Sequence, residues 1–249
     1  MLRNLLIVSS SGIVLFAKDF TATLPQPRLL GGLITAMLKS SVIRTGYPVS
    51  LIELKNVSVA IHSDAKCKVS CSLFYDKSDG PIFGRILALE ILNSFVQQYS
   101  SQLVQISANL KDFSGFNHRI SDSIRSSIRP ALDMLTLVNG VLLGLIVSGD
   151  TLLYSTHEID RVGVVANLEA LLGAASDIMN AQRDQPVHIS LHNQNVRVVL
   201  LAVDRSTLVV VCKASVAASK IDEEIVRTAV LIQKLLVLNS NLQETWSLL

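Results

Sequence analysis

The sequence predicts an α/β (α+β) protein of two similar units in tandem, each a five-stranded antiparallel sheet packed by helices in the order ββ-α-βββ-α. The first observation is a repeated word, because LIVS at 6–9 returns as LIVS at 145–148, an offset of 145 − 6 = 139 residues. The second is that the same offset brings other apolar runs into phase. The third is that β-rich runs and helical periodicity alternate in the same order twice.

The repeat extends over most of each unit. Three further pairs of segments match at this offset: 56–61 with 195–200, 68–75 with 207–214, and 81–99 with 220–238. In the last pair, Ile82 meets Ile221 and Ile86 meets Ile225. The alternative is that any two segments of alternating strands and helices share such periodicity, since identity is low outside the short words.

Each unit starts with a hairpin, which turns at 10–12 in the first unit and at 148–150 in the second. Three more strands are predicted in each unit, at about 49–54, 56–62 and 68–75, then at about 187–192, 195–203 and 207–213. In the second unit, Asp160 is placed to cap the helix between hairpin and third strand, which continues to Ala175. Ser219 and Asp222 then form a start like a capping box for the last helix.

The first helix of the first unit has apolar residues at i+4 spacing, which predict a broad buried stripe. They are Leu29, Leu33 and Met37, together with Leu30, Ile34 and Leu38. An extra helix is predicted at about 101–138, from the recurrence of Phe116, Ile120, Ile124 and Ile128, with a kink or restart at Pro130. The predicted domains are therefore 1–133, which includes most of this extra helix, and 134–249.

Composition narrows the class of function. Apolar residues make up 49% of the 249 positions and charged residues 17%, which is ample for two cores. A net charge of +2 and an aromatic content of 5% argue against nucleic acid as a partner. Three cysteines, an odd number, are typical of a reducing compartment, so we expect a cytoplasmic protein. The most apolar run, 134–148, is too short to span a membrane, and no transmembrane helix is expected.

The motifs of catalysis and of cofactor binding do not appear. SDGPIFGR at 78–85 has two glycines before a helix but no Lys-Ser/Thr pair, so it indicates a turn and a helix start with Pro81 in its first turn. His62, Cys67 and Cys71 have no obvious fourth ligand for zinc. No G-x-S-x-G occurs. We therefore predict no catalytic residues, no cofactor and no metal, and a protein that is not an enzyme.

The segments LLIVSSSGIVLFAKDF at 5–20 and LLGGLITAMLKSS at 29–41 resemble the first hairpin and first helix of a longin domain. The presence of an extra helix after Tyr99 also resembles a longin domain, which ends with two helices. The second unit resembles a longin or roadblock domain. A longin SNARE carries a heptad segment after its longin domain, whereas this chain continues into a second αβ unit.

This resemblance implies a tandem longin/roadblock-like protein that serves as a non-catalytic subunit of a cytosolic complex. Such a complex binds and regulates a small GTPase in membrane trafficking, for instance as part of a guanine-nucleotide exchange factor. The implied partners are other longin or roadblock subunits and a small GTPase, with peripheral association on endomembranes through the complex. Two alternatives stay open: a vesicle coat or tethering subunit that binds peptides or lipids, and a small-molecule or nucleotide-binding enzyme domain.

The resemblance also places the third strand at a sheet edge, where another chain's strand can pair with it. In the first unit the candidate interface residues on it are Val49, Leu51, Ile52, Glu53 and Leu54. The strand contains no lysine or proline to protect a free edge, so it is expected to be covered. The covering element is either the extra helix, 116–129, or a partner's domain. VHISLH at 187–192 is the equivalent in the second unit.

Two other features are candidate contact sites. Gly31 and Gly32 lie inside the first helix, where each costs about 1 kcal/mol relative to alanine. Close approach of a partner helix, or packing within the domain, would compensate for that cost. Arg119, Arg125 and Arg129 lie on the predicted extra helix, the last two one turn apart. They are candidates for contact with anionic lipid or an acidic partner, and the alternative is a solvated helix face.

Overall fold

The structure, a computed structural model, describes residues 1–104, 110–149, 151–157, 170, 173–174 and 188–247. The chain forms two compact units: Met1–Ser127 with Leu238–Leu249, and Ile128–Val237. The boundary predicted from the repeat, between residues 133 and 134, lies inside a helix that the structure places in the second unit.

The first unit has the predicted order of elements. Its strands are β1 Leu2–Ser9, β2 Val14–Asp19, β3 Leu51–Glu53, β4 Val57–Asp64 and β5 Val69–Asp76. Its helices are α1 Pro27–Thr45, α2 Pro81–Val104, a 3-10 segment Leu110–Arg119 and α3 Ile120–Ser126. The five strands form one antiparallel sheet in the order β2-β1-β5-β4-β3. The predicted fold class is confirmed, and β3 lies at the sheet edge that the longin resemblance implies.

One face of this sheet packs against α1. Buried residues on it include Leu6, Val8, Val59 and Ile61, which form a cluster with Ile34 of the helix. Leu30 and Leu38 pack against the same cluster, as predicted. The other three members of the predicted buried stripe are exposed: Leu29 by 69%, Leu33 by 56% and Met37 by 37%. The prediction that all six are buried is wrong, because a helix lying on a sheet buries only one side.

The opposite face packs against α2 and the 3-10 segment. Phe95 and Tyr99 of α2 meet Phe113 and Phe116 of that segment, with ring centroids 5.0 to 6.4 Å apart. Phe116 also contacts Phe16 of β2 edge to face at 5.3 Å. This aromatic cluster holds the 3-10 segment against β2.

The predicted extra helix is divided in the structure. Its first part is the 3-10 segment followed by α3, and its last part is a separate helix, α4 Ile128–Thr136, in the second unit. The predicted restart near Pro130 is observed, since α3 ends at Ser126 and Pro130 lies in the first turn of α4. The four apolar residues that predicted one helix, Phe116, Ile120, Ile124 and Ile128, are all buried. Their i+4 spacing therefore predicts their burial correctly, but the prediction that they lie on one continuous helix is wrong.

The second unit has a matching sheet. Its strands are β6 Val141–Ser148, β7 Thr151–Ser155, β8 His188–His192, β9 Val196–Val203 and β10 Ser206–Lys213, in the order β7-β6-β10-β9-β8. The last helix is α5 Ala218–Ser247, of which residues 218–237 belong to this unit. Helix α4 packs against β6. The helix predicted from Asp160 to Ala175 falls almost entirely outside the described residues.

The strand pairing in the two sheets shows that equivalent residues of the two units are no longer 139 residues apart from β5 onward. Leu6 pairs with Ser72 on β5, and Leu145 pairs with Val209 on β10, so the offset there is 209 − 72 = 137. The reason is the hairpin turn, which has four residues after Asp64 but two after Val203. The predicted match of 68–75 with 207–214 is therefore wrong by two residues. The helical match holds for one of its two named pairs, since Ile86 and Ile225 are both buried, and fails for the other, since Ile82 is 45% exposed and Ile221 is fully buried.

Among the described residues, one stretch of α5, Ala218–Leu242, is long and apolar enough to cross a membrane, judged by length and composition alone. A third of its most apolar window, 33%, is buried within the protein. Core helices of folded domains meet the same criterion, so the finding is weak evidence. Ile221, Ile225 and Ile232 recur on one side of α5 and are buried, as expected for such a core helix.

Candidate pairing surface

Strand β3 presents hydrogen-bonding groups to the open edge of the first sheet. The carbonyl of Ser50 accepts a bond from the N–H of Ile61, and the N–H of Leu54 donates to Val57, so both groups point inward, to β4. Because direction alternates along a strand, the N–H and C=O of Leu51 and Glu53 point outward. These four groups are available to a pairing strand.

The observed strand is shorter than predicted. It covers 51–53 instead of 49–54, and Val49 packs under α1 with Ile52. Leu51 and Ile52 are half-buried, whereas Glu53 and Leu54 are exposed. Glu53 lies 3.5 Å from the ammonium of Lys77, a surface ion pair of small energetic weight.

The extra helical segment does not cover this edge. The 3-10 segment lies against β2, at the far side of the sheet, and three strands separate β2 from β3. Helix α3 packs on α2 and on the 3-10 segment. The expectation that 116–129 covers the third strand is therefore wrong: Phe116 belongs to the aromatic cluster at β2.

The sheet of the second unit also ends on a strand that pairs on one side only, as far as the described residues show. Its edge strand is β8, and the N–H of Asn193 donates inward to Val196, as Leu54 does in the first unit. The groups of Ser190 and His192 therefore point outward. The side chains of these two residues hydrogen-bond to each other at 2.8 Å, between Oγ and Nε2.

Helix α1 adds an exposed apolar stripe to the first unit. Leu29, Leu33 and Met37 follow each other at i+4 spacing on its outer side, and Ile43 continues the exposed apolar surface near its end. The i+4 spacing in the sequence predicts that the first three are buried. The sequence feature that could identify these exposed residues is the number of apolar positions in α1, which occupy more than one face of the helix. A helix that lies on a sheet buries only one face, so the apolar residues on another face stay exposed.

The two glycines of α1 have different surroundings. A Cβ on Gly31 would lie 2.9 Å from Val14 Cγ2 and 3.2 Å from the carbonyl oxygen of Gly12, so packing within the domain explains this glycine. A Cβ on Gly32 would meet no atom of the described residues within 4 Å. Gly32 thus leaves bare helix backbone on the exposed side of α1, where a partner helix has room to approach closely.

Gly31→Ala and Gly32→Ala are expected to change stability in opposite directions. In Gly31→Ala the added Cβ collides with Val14 and Val8, which must move, so we expect the free energy of unfolding to fall by about 1 to 2 kcal/mol. The second removes the conformational cost of glycine without a clash, and we expect a gain of up to about 1 kcal/mol. Urea denaturation of both variants measures this. Equal losses would show that Gly32 is also packed inside the protein.

The three arginines do not form one helix face. Arg119 ends the 3-10 segment, Arg125 lies on α3, and Arg129 lies on α4 in the second unit. Arg119 lies 3.7 Å from Asp122, and Arg129 lies 3.9 Å from Asp133. The prediction that Arg125 and Arg129 share one helix is corrected by the break at Ser127. Contact with anionic lipid or an acidic partner stays a prediction for each of them.

The candidate metal ligands do not converge. Cys67 lies in the β4–β5 turn, while Cys71 is fully buried on β5 beside His62 of β4. Burial raises the pKa of Cys71, and burial together with Arg85 lowers the pKa of His62. In the part of the chain that the structure describes, no three His, Cys, Asp or Glu side chains lie together as metal ligands do.

No protein-family model matches the sequence, and no curated protein is significantly similar to it. Solved structures match about half of the chain. MglB from Myxococcus xanthus is 15% identical, with 45% of this chain and 95% of that chain covered, at a TM-score of 0.42. The gliding protein MglB from Thermus thermophilus is 8% identical over 46% and 90%, at 0.41. A Roadblock/LC7 domain from Streptomyces avermitilis is 11% identical over 43% and 95%, at 0.36.

Proposed function

We propose that this protein is a non-catalytic subunit that pairs with other longin or roadblock subunits and, through the resulting complex, binds and regulates a small GTPase. The observation that carries the proposal is the open edge: both sheets end on a strand whose outward N–H and C=O groups meet no other strand among the described residues. A pairing strand would complete the sheet.

The surface beside this edge supports pairing with a folded domain. The apolar stripe Leu29, Leu33 and Met37 is a surface that single soluble domains seldom leave open, and Gly32 lies in the same exposed part of the helix. A partner that adds both a strand at β3 and a helix at α1 would bury both features. Longin and roadblock domains carry a strand edge and a helix of this kind.

The GTPase part rests on the longin resemblance of the first hairpin and helix and on the longin or roadblock resemblance of the second unit. Within the proposal, the complex works in the cytoplasm on endomembranes, and nucleotide exchange is the activity it assists. A vesicle coat or tethering subunit is the alternative of the binding class. An enzyme domain that binds a small molecule or nucleotide is the alternative of the catalytic class.

Purification of the tagged full chain from cells, with mass spectrometry of the bound proteins, tests the proposal. The expected result is stable recovery of longin or roadblock subunits and of a small GTPase whose recovery changes between added GDP and a non-hydrolysable GTP analogue. Recovery of a coat complex, or of a monomer with a bound small molecule, would support one of the alternatives instead.

Leu51→Lys combined with Glu53→Pro tests the β3 edge. The proline removes an N–H that points outward, so the β3–β4 ladder is expected to survive while partner pairing is lost. Glu53→Ala, which keeps the N–H, is expected to keep the partners. The matched variant in the second unit is Ser190→Lys with His192→Pro. Comparison of the two variants shows whether partners pair with the edge of the first sheet or with that of the second. If the folded Leu51→Lys, Glu53→Pro variant keeps every partner at wild-type affinity, β3 is not the interface.

A further inference from the structure

The edge strand of the second unit is close to a palindrome. Strand β8 has the sequence HISLH, so each side of Ser190 carries an apolar residue and then a histidine. In a two-fold symmetric interface each residue faces its counterpart across the axis. A strand whose sequence is similar in both directions is therefore complementary to a second, antiparallel copy of itself.

The backbone of β8 determines the register of such a pair. The N–H of Asn193 donates inward to the carbonyl of Val196, so the backbone groups of residues 188, 190 and 192 point outward. Antiparallel strands exchange hydrogen bonds where two residues with outward groups lie opposite each other. A two-fold axis at Ser190 meets this condition over the whole strand, and it places His188 opposite His192 of the second copy.

The side chains also match in this register. Ile189 lies opposite Leu191 of the second copy, on the sheet face where Ile189 packs against the apolar cluster of the second unit. Leu191 is 36% exposed, and the second copy would cover it. The β3 edge lacks this match, because an axis at its centre places Leu51 opposite Glu53. Of the two edge strands, β8 is therefore the one that fits a second copy of this chain.

The paired histidines form a site that one chain cannot provide. Within one strand, His188 and His192 are about 13 Å apart. Across the two-fold axis, directly opposite residues have Cβ atoms about 5.5 Å apart. Imidazole nitrogens bind zinc at about 2.0 to 2.1 Å, so two opposite histidines can hold one ion between them. The axis creates two such sites, one on each side of Ser190.

The surroundings of His192 suit a metal ligand. Its Nε2 lies 2.8 Å from the Oγ of Ser190, and in the tautomer whose Nε2–H donates to that oxygen, Nδ1 keeps a lone pair for the metal. Arg197 lies opposite His192 on β9, but its guanidinium is paired with Asp222. The positive charge nearest to His192 along the ladder is therefore compensated.

We propose that two copies of this chain pair at β8, antiparallel about Ser190, and that each contact between His188 and His192 binds one zinc ion. Water molecules complete the four-coordination of each ion. Since the ions bind the pair and not the single chain, zinc strengthens self-association. The inference rests on the proposed function only in treating β8 as an open edge, and it needs neither another subunit nor a GTPase.

Sedimentation equilibrium of the purified full chain, first treated with EDTA, tests the proposal. Added zinc is expected to tighten self-association at least tenfold, whereas magnesium, which prefers oxygen ligands, has no effect. A chain that stays monomeric with zinc, or self-association that zinc does not change, would overturn the proposal. If Leu51→Lys with Glu53→Pro abolishes self-association, the copies pair at β3, which contradicts the proposal.

Two single variants test the register. His188→Ala and His192→Ala each remove one ligand from both sites, so each variant alone is expected to lose the response to zinc. In an equal mixture, the heterodimer keeps both histidines at one of its two sites, and part of the response returns. His157→Gln removes another exposed histidine of the second unit and is expected to keep the full response. A mixture that does not respond to zinc, or a His157→Gln variant without the response, would contradict the proposed site.

The purification from cells separates this inference from the proposed function. If the response to zinc is absent while longin or roadblock subunits and a small GTPase are recovered, the inference fails and the proposed function stands. If the response to zinc is present while no such proteins are recovered, the proposed function fails and the inference stands.

Discussion

Gly84→Ala is expected to destabilise the first unit by about 3 kcal/mol, at the upper end of overpacking effects. Gly84 lies in α2, and a Cβ there would come 2.2 Å from Cε1 and 2.3 Å from Cζ of Tyr75. The ring of Tyr75 is fully buried on β5 and contacts Phe83 at 5.9 Å, so it has no free space to move into. Urea denaturation measures the loss as a lower midpoint at unchanged slope.

Gly32→Ala is the matched control, because it also replaces a helical glycine but creates no contact within 4 Å in the described part of the chain. A loss of similar size in both variants would mean that the cost comes from the helix backbone and not from Tyr75. At the 137-residue offset, Cys212 and Ile221 of the second unit correspond to Tyr75 and Gly84, and both are fully buried. The first unit therefore has its large side chain on the strand and none on the helix, whereas the second unit has a small side chain on the strand and a large one on the helix.

That exchange provides a second test of the same contact. The double variant Tyr75→Cys with Gly84→Ile transfers the pair from the second unit to the first. We expect it to be less destabilised than the sum of its two single variants, since each change makes room for the other. Strict additivity would indicate that the two positions do not share one space.

Asp222→Ala is expected to destabilise the second unit by about 2 kcal/mol, because it leaves a buried guanidinium without its partner. Arg197 of β9 has a side chain that is only 6% exposed, and it donates a hydrogen bond of 2.5 Å to the carboxylate of Asp222 on α5. The hydrogen bond to Asp222 raises the pKa of Arg197 above its ordinary value. The loss is measured by urea denaturation at neutral pH.

Glu223→Ala is the control for this pair. Glu223 forms an ion pair with Arg227 at 2.6 Å, but both side chains are more than 60% exposed, so we expect a change within about 0.5 kcal/mol. Arg197→Met with Asp222→Leu is expected to recover most of the lost stability, since an apolar pair leaves no buried charge. A double variant as unstable as Asp222→Ala would show that the carboxylate has a role beyond pairing with Arg197.

The candidate surface was only partly predictable. The strand 49–54 was placed at an edge by resemblance, and the structure has β3 there. Which backbone N–H and C=O groups point outward, here those of Leu51 and Glu53, depends on which residues of β3 hydrogen-bond to β4. A shift of one residue in the strand register would turn the other set of groups outward. The exposed stripe of α1 was missed because apolar spacing identifies a helix with more than one apolar side and does not say which side the sheet takes.

The sequence by itself determined the number of units and the order of their elements, because the repeated word and its alternating runs are local patterns. The position of the third strand at the sheet edge followed from the longin resemblance and not from these patterns. Only the tertiary structure decided the rest. It decided that the offset falls to 137 after the β4–β5 turn, which depends on strand pairing across the sheet. It also decided that 116–136 divides between the units, because burial of Phe116 at β2 and of Leu132 near Gly144 fixes those helices through contacts distant in sequence.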